Sequence, residues 1–180
     1  MATETLELEI VTPDGLALEE QVTEFTAPSV DGEFGVLPGH RPLLAALATG
    51  IVSYTQDGQE VRVAVGNGFV EVNQDKAVLL TDHFITKDDV DPVRVRLELK
   101  ETDEKLDNWK DEPGTAEHMQ LIADELWAAV QLELYGDPPP PIVRTYTFAG
   151  AEPERYHVTT DIEKAQAAAE DEEKQHEAQG

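Results

Sequence analysis

The chain of 180 residues contains no cysteine, and aromatic residues make up only 6% of it. The absence of cysteine excludes a disulfide framework, a thiolate metal site and a thiol nucleophile, and it is typical of a reducing cytosol. No apolar run approaches the roughly 20 residues that cross a bilayer. The first residues also lack the basic start and unbroken apolar core of a signal peptide. These absences predict a protein that does not itself cross a membrane.

Basic residues are scarce as well: 13 stand against 38 acidic ones, which gives a formal net charge of −25. Nucleic-acid phosphates and anionic lipids bind to basic patches, so this balance argues against both as partners. The acidic excess is spread over the chain, with 16 acidic and 4 basic residues in 1–90, 12 and 5 in 91–136, and 10 and 4 in 137–180. That distribution indicates a solvated acidic surface, suited to a salt-rich cytoplasm, or an acidic docking face.

Residues 4–87 alternate between apolar and polar side chains in short runs such as "LELEI" and "VRVAV". Period-2 alternation is typical of strands with one buried face. Turn signals such as "PDG", "DGEFG", "PGH" and "GNG" separate the runs, so an antiparallel β-sandwich or barrel is predicted. The expected core residues are Leu6, Leu8, Ile10, Val63, Val65, Val70, Val72 and Leu80.

Helical periodicity begins after Asp91, a good N-cap residue that is followed by proline at the first helical position. The expected apolar stripe of this first helix consists of Val95, Leu99, Thr102, Leu106 and Trp109. The stripe of a second helix consists of Met119, Ile122, Leu126, Val130 and Leu134. Gly136 suits the C-terminus of that helix. Two amphipathic helices joined by "EPG" predict a hairpin whose stripes cover each other or a partner.

The chain is predicted to divide into a β domain at 1–87, a helical hairpin at 88–136 and an extension at 137–180. The extension starts with "DPPPP", a stiff spacer. Its "IVRTYTF" is expected to form a strand or a short docking segment. Its end is polar and rich in Ala and Glu, and is expected to be a solvent-exposed helix or disordered. The predicted fold class is α+β: an N-terminal antiparallel β-sandwich, a C-terminal α-helical hairpin and an acidic C-terminal extension.

Residues with catalytic or metal-binding chemistry do not form a recognisable pattern. The five histidines are far apart in sequence, without metal-ligand spacing. "GNG" at 66–68 has no following helix and no P-loop lysine, so it is interpreted as a turn between strands. No metal site and no catalytic residue are predicted, and a binding or mechanical role is favoured.

The stretch "DGEFGVLPGHRPLLAALATGIV" from residue 31 resembles the N-terminal domain of the ε subunit of F-type ATP synthase. "VGNGFVEV", "VLLTDH" and "DVDPVRV" are similar to later parts of that family in the same order. The resemblance implies a β-sandwich with a helical hairpin, in a non-catalytic central-stalk subunit that couples ion-driven rotation of the c ring to ATP synthesis through γ. It also implies a peripheral location on the cytoplasmic face of the bacterial inner membrane, with contact to the membrane only through the complex.

By this resemblance the c-ring and γ interface contains Asp31, Glu33, His40, Arg41 and Pro42. Glu33 is the preferred c-ring contact, with Asp31 and His40 expected nearby. The glycines and prolines of the stretch would hold sharp, rigid turns against a rotating partner. The alternative is a stand-alone β-sandwich module that regulates another partner.

Asp91 and Arg94 match an acidic-x-x-Arg segment that helps to bind ATP in some family members. The second helix has no Lys or Arg, although a triphosphate needs cationic donors or free backbone N–H groups. We therefore expect no cofactor, with Asp91 acting as a helix cap. In the family the hairpin also restrains ATP hydrolysis by contacting the catalytic β subunits. An acidic second helix predicts weak inhibition, or inhibition through Leu126, Trp127 and Val130.

Overall fold

Short strands separated by turns make up the first half of the chain, as the alternating pattern predicts. The structure, a computed structural model, describes residues 5–140, 142–145 and 154–157. Its first ten strands are β1 Leu6–Thr12, β2 Gly15–Val22, β3 Glu24–Ser29, β4 Gly32–Val36, β5 His40–Leu47, β6 Gly50–Gln56, β7 Gln59–Val65, β8 Gly68–Gln74, β9 Lys76–Thr81 and β10 Phe84–Thr86. A 3₁₀ turn, Lys87–Asp89, follows them and precedes the helices.

The ten strands join in the order β10-β7-β6-β3-β5-β8-β9-β1-β2, with β4 added on β3. Only Ser29 and Leu47 pair β3 with β5, so this is the corner at which the sheet passes from one layer to the other. The first layer contains β10, β7, β6, β3 and β4, and the second layer contains β5, β8, β9, β1 and β2. The pairs are antiparallel, as predicted, except that β1 lies parallel to β9. The result is the predicted β-sandwich, which closes around a shared core.

The sandwich core contains seven of the eight residues predicted for it, all of them buried. Leu80 is the exception, because 52% of it is exposed while Leu79 is fully buried. The prediction of Leu80 was wrong because "AVLL" has apolar residues on both faces of the strand. Alternation in β9 starts from buried Ala77, so Leu79 faces the core and Leu80 faces outward.

Two helices follow the sandwich: α1, Pro92–Asp107, and α2, Ala116–Tyr135. The predicted start of α1 is confirmed, since the Asp91 side chain accepts hydrogen bonds from the backbone N–H groups of Val93 and Arg94. The predicted end of α2 is confirmed too. Gly136 has φ +105°, the left-handed conformation that closes a helix.

The buried face of α2 differs from the predicted stripe. Met119 and Leu126 are exposed, so their assignment to the buried face was wrong. The residues of α2 that are buried are His118, Ala128, Val130, Gln131, Leu132 and Leu134. Burial spreads around the C-terminal half because α2 contacts both α1 and the sandwich strands β6 and β7. The stripe was predicted for one contact surface, whereas the helix has two.

A second compact unit begins at Pro140 and is described by itself. It contains two short strands, β11 Ile142–Thr145 and β12 Glu154–His157, which pair antiparallel. The strand predicted within "IVRTYTF" is present over its first residues. The predicted helical or disordered end of the chain lies outside the described residues. Among the described residues, no helix is long and apolar enough to span a membrane.

A charged cluster ties β9 to the parallel strand β1. Lys76 Nζ lies 2.6 Å from Glu7 Oε1 and 2.5 Å from Glu9 Oε1. The hydrogen bond from Lys76 holds the pKa of Glu7 below its ordinary value of 4.5. The hydrogen bonds from Glu7 and Glu9 in turn raise the pKa of Lys76. The contact between Lys76 and Glu7 therefore favours the folded state only while both groups are charged.

Replacing Lys76 with methionine should lower stability at neutral pH, by an amount that shrinks in acid. The pKa of Glu7 is depressed on folding, so its contribution is complete above the unfolded value near 4.5 and is lost as pH falls through the folded value. We expect the urea midpoints of the two proteins to converge below that range. Lys100→Met, which breaks a looser pair with Glu104 at 3.8 Å, is the control. A midpoint difference unchanged in acid would contradict the role of Glu7.

Candidate interface of the β-sandwich

The β3–β4 hairpin carries Asp31 and Glu33, two of the predicted interface residues. Its turn is fixed locally: Ser29 Oγ donates to the Gly32 carbonyl at 2.6 Å and accepts from the Asp31 N–H at 3.2 Å. Gly32 has φ +117°, which a residue with a side chain rarely adopts. The hairpin therefore presents two exposed carboxylates on a defined backbone.

The other three predicted residues, His40, Arg41 and Pro42, begin β5. The Gly39 N–H donates to Asp75 Oδ1 at 3.0 Å, which fastens this turn to the β8–β9 connection. His40 Nδ1 lies 2.7 Å from the Arg41 carbonyl oxygen, to which it donates. The β5–β8 register shifts between His40 and Leu43, so Arg41 and Pro42 bulge out and are exposed.

The structure places the β3–β4 hairpin near the end of β5, whereas His40, Arg41 and Pro42 form its start. Next to the β3–β4 hairpin, the Val30 N–H donates to the Ala46 carbonyl at 3.3 Å, near the end of β5. His40 starts β5 and pairs with Gln74. The expectation that His40 lies beside Glu33 was therefore wrong. The strand β4 pairs with β3, whereas β5 pairs with β8, so the chain changes layers between Glu33 and His40. The short distance between the two residues in sequence does not reveal this change.

A row of outward-facing apolar residues crosses five strands of the second layer. Register places Ala46 opposite Phe69, Phe69 opposite Leu80, Leu80 opposite Val11, and Val11 opposite Leu16. We call these five residues the apolar row. Leu44, 73% exposed, lies next to it on β5.

Acidic and polar residues border the apolar row. Two residues along the strands from the row, Glu71 pairs with Leu44, and Glu9 pairs with Val78. An apolar patch with a polar rim is typical of an interaction surface. The sequence reasoning missed this surface. The signal was the loss of alternation in "PLLAAL" and "AVLL", since a strand with two apolar faces needs a second partner.

Asp91 and Arg94, the predicted ATP contacts, are engaged within α1. The Asp91 carboxylate accepts from the N–H groups of Val93 and Arg94 at 3.0 and 3.1 Å. Arg94 Nη1 lies 3.2 Å from Glu98 Oε1. The helix N-terminus and its arginine are thus already paired with carboxylates of the same helix. No group of acidic, histidine or cysteine side chains suited to a metal ion occurs in the described part of the chain.

The helical hairpin lies against the outer face of the first layer. A buried cluster joins sandwich residue Ala64 to Val90, Val95 and four residues of α2: Ala128, Val130, Leu132 and Leu134. The Trp127 and His83 rings lie 5.1 Å apart at its edge. Arg62 Nη2 of β7 lies 3.6 Å from Glu133 Oε1 of α2. We call this arrangement the docked hairpin.

Residues 5–87 match the family model "ATP synthase, Delta/Epsilon chain, beta-sandwich domain". The "ATP synthase epsilon chain" of Nitratidesulfovibrio vulgaris is 43% identical over 102 residues, which cover 57% of this chain and 76% of that protein. The chain belongs to the ATP synthase epsilon-chain family. In Syntrophotalea carbinolica, "ATP synthase epsilon chain 2" is 36% identical over 131 residues, which cover 73% of this chain and 94% of that one.

Solved structures agree on the fold of this epsilon-family chain. A chain in the Euglena gracilis mitochondrial ATP synthase, a structure of OSCP, F1 and the c ring, matches with a TM-score of 0.62 and 24% identity, over 72% of this chain and 80% of that one. A chain of the Tetrahymena thermophila mitochondrial central stalk and c ring matches with a TM-score of 0.51 and 13% identity, over 75% of this chain and 99% of that one.

Family membership decides between the two functions that the sequence left open. Epsilon chains are non-catalytic subunits of the rotary ATP synthase, and this chain belongs to their family. A stand-alone regulatory module is not favoured.

Proposed function

We propose that this chain connects the γ subunit to the c ring, and that the apolar row is the surface that binds γ. The observation that carries the proposal is the row itself, five strands wide and bordered by acidic residues. Burying apolar surface stabilises a contact by about 25 cal/mol per Å², so a covered row can hold a permanent partner. The long shaft of a rotor would supply the matching apolar face.

In this arrangement the subunit does mechanical work and no chemistry. Torque that arrives at the c ring must reach γ without deforming the connector. Asp31 and Glu33, on the pinned β3–β4 hairpin, would bind polar loops of the c ring. His40, Arg41 and Pro42 lead into the strand that bears Leu44 and Ala46, so they would border the γ contact. The complex would sit peripherally on the cytoplasmic face of a bacterial plasma membrane.

Site-directed cross-linking tests the assignment of the γ surface. Because the chain has no cysteine, a single introduced thiol carries the photoreactive probe without background. We expect Leu44→Cys to cross-link to γ in the assembled complex. Leu97→Cys, on α1 and also well exposed, is the matched control and should not. Cross-linking of γ from position 97 but not from position 44 would reject the proposed surface.

We further propose that the hairpin binds no ATP and inhibits hydrolysis weakly. The helix α2 has no basic residue to meet an acidic surface on the catalytic β subunits, so like charges would oppose the contact. Val130 is buried in the docked hairpin and Trp127 packs against it, which leaves Leu126 as the exposed one of the three apolar candidates.

Removing residues 91–180 should therefore change the ATPase rate of the complex only slightly. The measurement compares complexes assembled with the full and the shortened chain. Since removal uncovers Ile51, Ala64 and Ile85, the shortened chain must first be shown to assemble in equal amount. A large activation at equal assembly would contradict weak inhibition.

A further inference from the structure

The docked hairpin brings together two bodies that are both negatively charged. Residues 1–90 carry 16 acidic and 4 basic residues, and residues 91–136 carry 12 and 5. Net charges of the same sign repel over distances set by the ionic strength. The docked position is therefore held against an opposing force that salt can weaken.

Negative charges also outnumber positive ones at the contact between α2 and the sandwich. The strands β6 and β7 and the 3₁₀ turn, which α2 contacts, carry Glu60, Asp88 and Asp89 against Arg62 and Lys87. The facing helix carries only acidic charges: Glu117, Asp124, Glu125 and Glu133. The charges at the contact and the net charges of the two bodies therefore both oppose docking.

Apolar contacts supply the attraction. Ala64, Ile51 and Ile85 of the sandwich pack in one cluster with Val130, Leu132 and Leu134 of α2. The Arg62–Glu133 pair adds little, because it spans 3.6 Å and both side chains are about half exposed. Exposed pairs of this kind contribute about 0–1 kcal/mol and weaken further in salt. The apolar term does not weaken when salt is added, whereas the repulsion does.

We infer that ionic strength sets the balance between the docked and the released hairpin, with salt favouring the docked state. The Debye length falls from about 30 Å at 0.01 M to about 3 Å at 1 M salt. At the lower concentration the net negative charges of the sandwich and the hairpin repel each other with little screening. At the higher concentration this repulsion is almost completely screened. The hairpin of this chain is then a device that responds to the salt content of its surroundings, independently of how γ is bound.

Energy transfer between two dyes measures docking in the full-length chain. Gln59→Cys on β7 and Met119→Cys on α2 place one dye on each body at exposed positions, and neither change alters the charge. We expect transfer to rise as potassium chloride increases from about 0.01 M to about 1 M, the range over which screening becomes complete. A second pair, Gln59→Cys and Asn73→Cys, lies wholly within the sandwich and should stay constant.

Two substitutions of Arg62 distinguish the effect of an added negative charge from the loss of the pair with Glu133. Arg62→Gln removes the pair with Glu133, while Arg62→Glu also adds a negative charge at the dock. Both should need more salt than the unmodified chain to reach half-maximal transfer, and Arg62→Glu should need the most. Constant transfer over the whole salt range would overturn the inference. So would equal midpoints for the two variants, or a parallel change in the pair within the sandwich.

Discussion

Replacing Gly68 with alanine is expected to destabilise the sandwich by about 3 kcal/mol or more, as overpacking of a closed structure does. A Cβ atom at Gly68 would lie 1.8 Å from the carbonyl oxygen of Leu80 and 2.8 Å from its carbonyl carbon. Both atoms belong to the backbone of β9. Since Gly68 pairs with Thr81 there, the strand cannot move aside without losing the register of β8 and β9.

Gly35→Ala is the matched control, because its Cβ would meet only the Thr26 methyl at an ordinary 3.7 Å. We expect it to change stability by less than about 1 kcal/mol, in the range of surface substitutions. Urea unfolding of both variants checks the prediction. Equal midpoints for Gly68→Ala and Gly35→Ala would mean that β8 and β9 do not approach as closely as described.

Replacing Phe69 with aspartate is expected to weaken binding to γ by about thirtyfold or more, which corresponds to about 2 kcal/mol. Phe69 lies within the apolar row, with Ala46 on one side and Leu80 on the other. A carboxylate there would be buried in the complex without a partner, and large aromatic residues dominate such contacts.

Leu97→Asp is a close control, since Leu97 and Phe69 are each 58% exposed. Leu97 lies on α1, away from the row, so we expect its substitution to leave γ binding unchanged. The affinity of each variant for purified γ gives the comparison, after circular dichroism has established that both are folded. Equal losses for the two variants would count against a localised γ surface.

Several features of the fold follow from local chemistry and could be predicted. Asp91 followed by Pro92 fixes the start of α1, and Gly136 fixes the end of α2, because caps depend on neighbouring residues only. The buried faces of β1, β7 and β8 also follow, since Leu, Ile or Val occupies every second position in them. The family resemblance rested on one unusual stretch and was confirmed.

Other features depend on contacts that a single sequence does not contain. Leu79 and Leu80 are chemically identical neighbours, and only the pairing of β9 decides which one is buried. Met119 and Leu126 fit a helical stripe, but α2 turns a different face inward because it packs on two bodies at once. The separation of Glu33 from His40 arises where the sheet changes layers, a feature of tertiary structure. The roles of the five predicted interface residues remain predictions.

The connection of γ to the c ring through this chain is the central proposal. Its most direct test is reconstitution of the full-length chain with the γ subunit and c ring of the same source, followed by isolation of the assembly and analysis of its subunits. We expect a stable assembly that contains this chain in equal amount with γ, and its loss when Phe69→Asp replaces the unmodified protein. Failure of the folded chain to bind either γ or the c ring would contradict it.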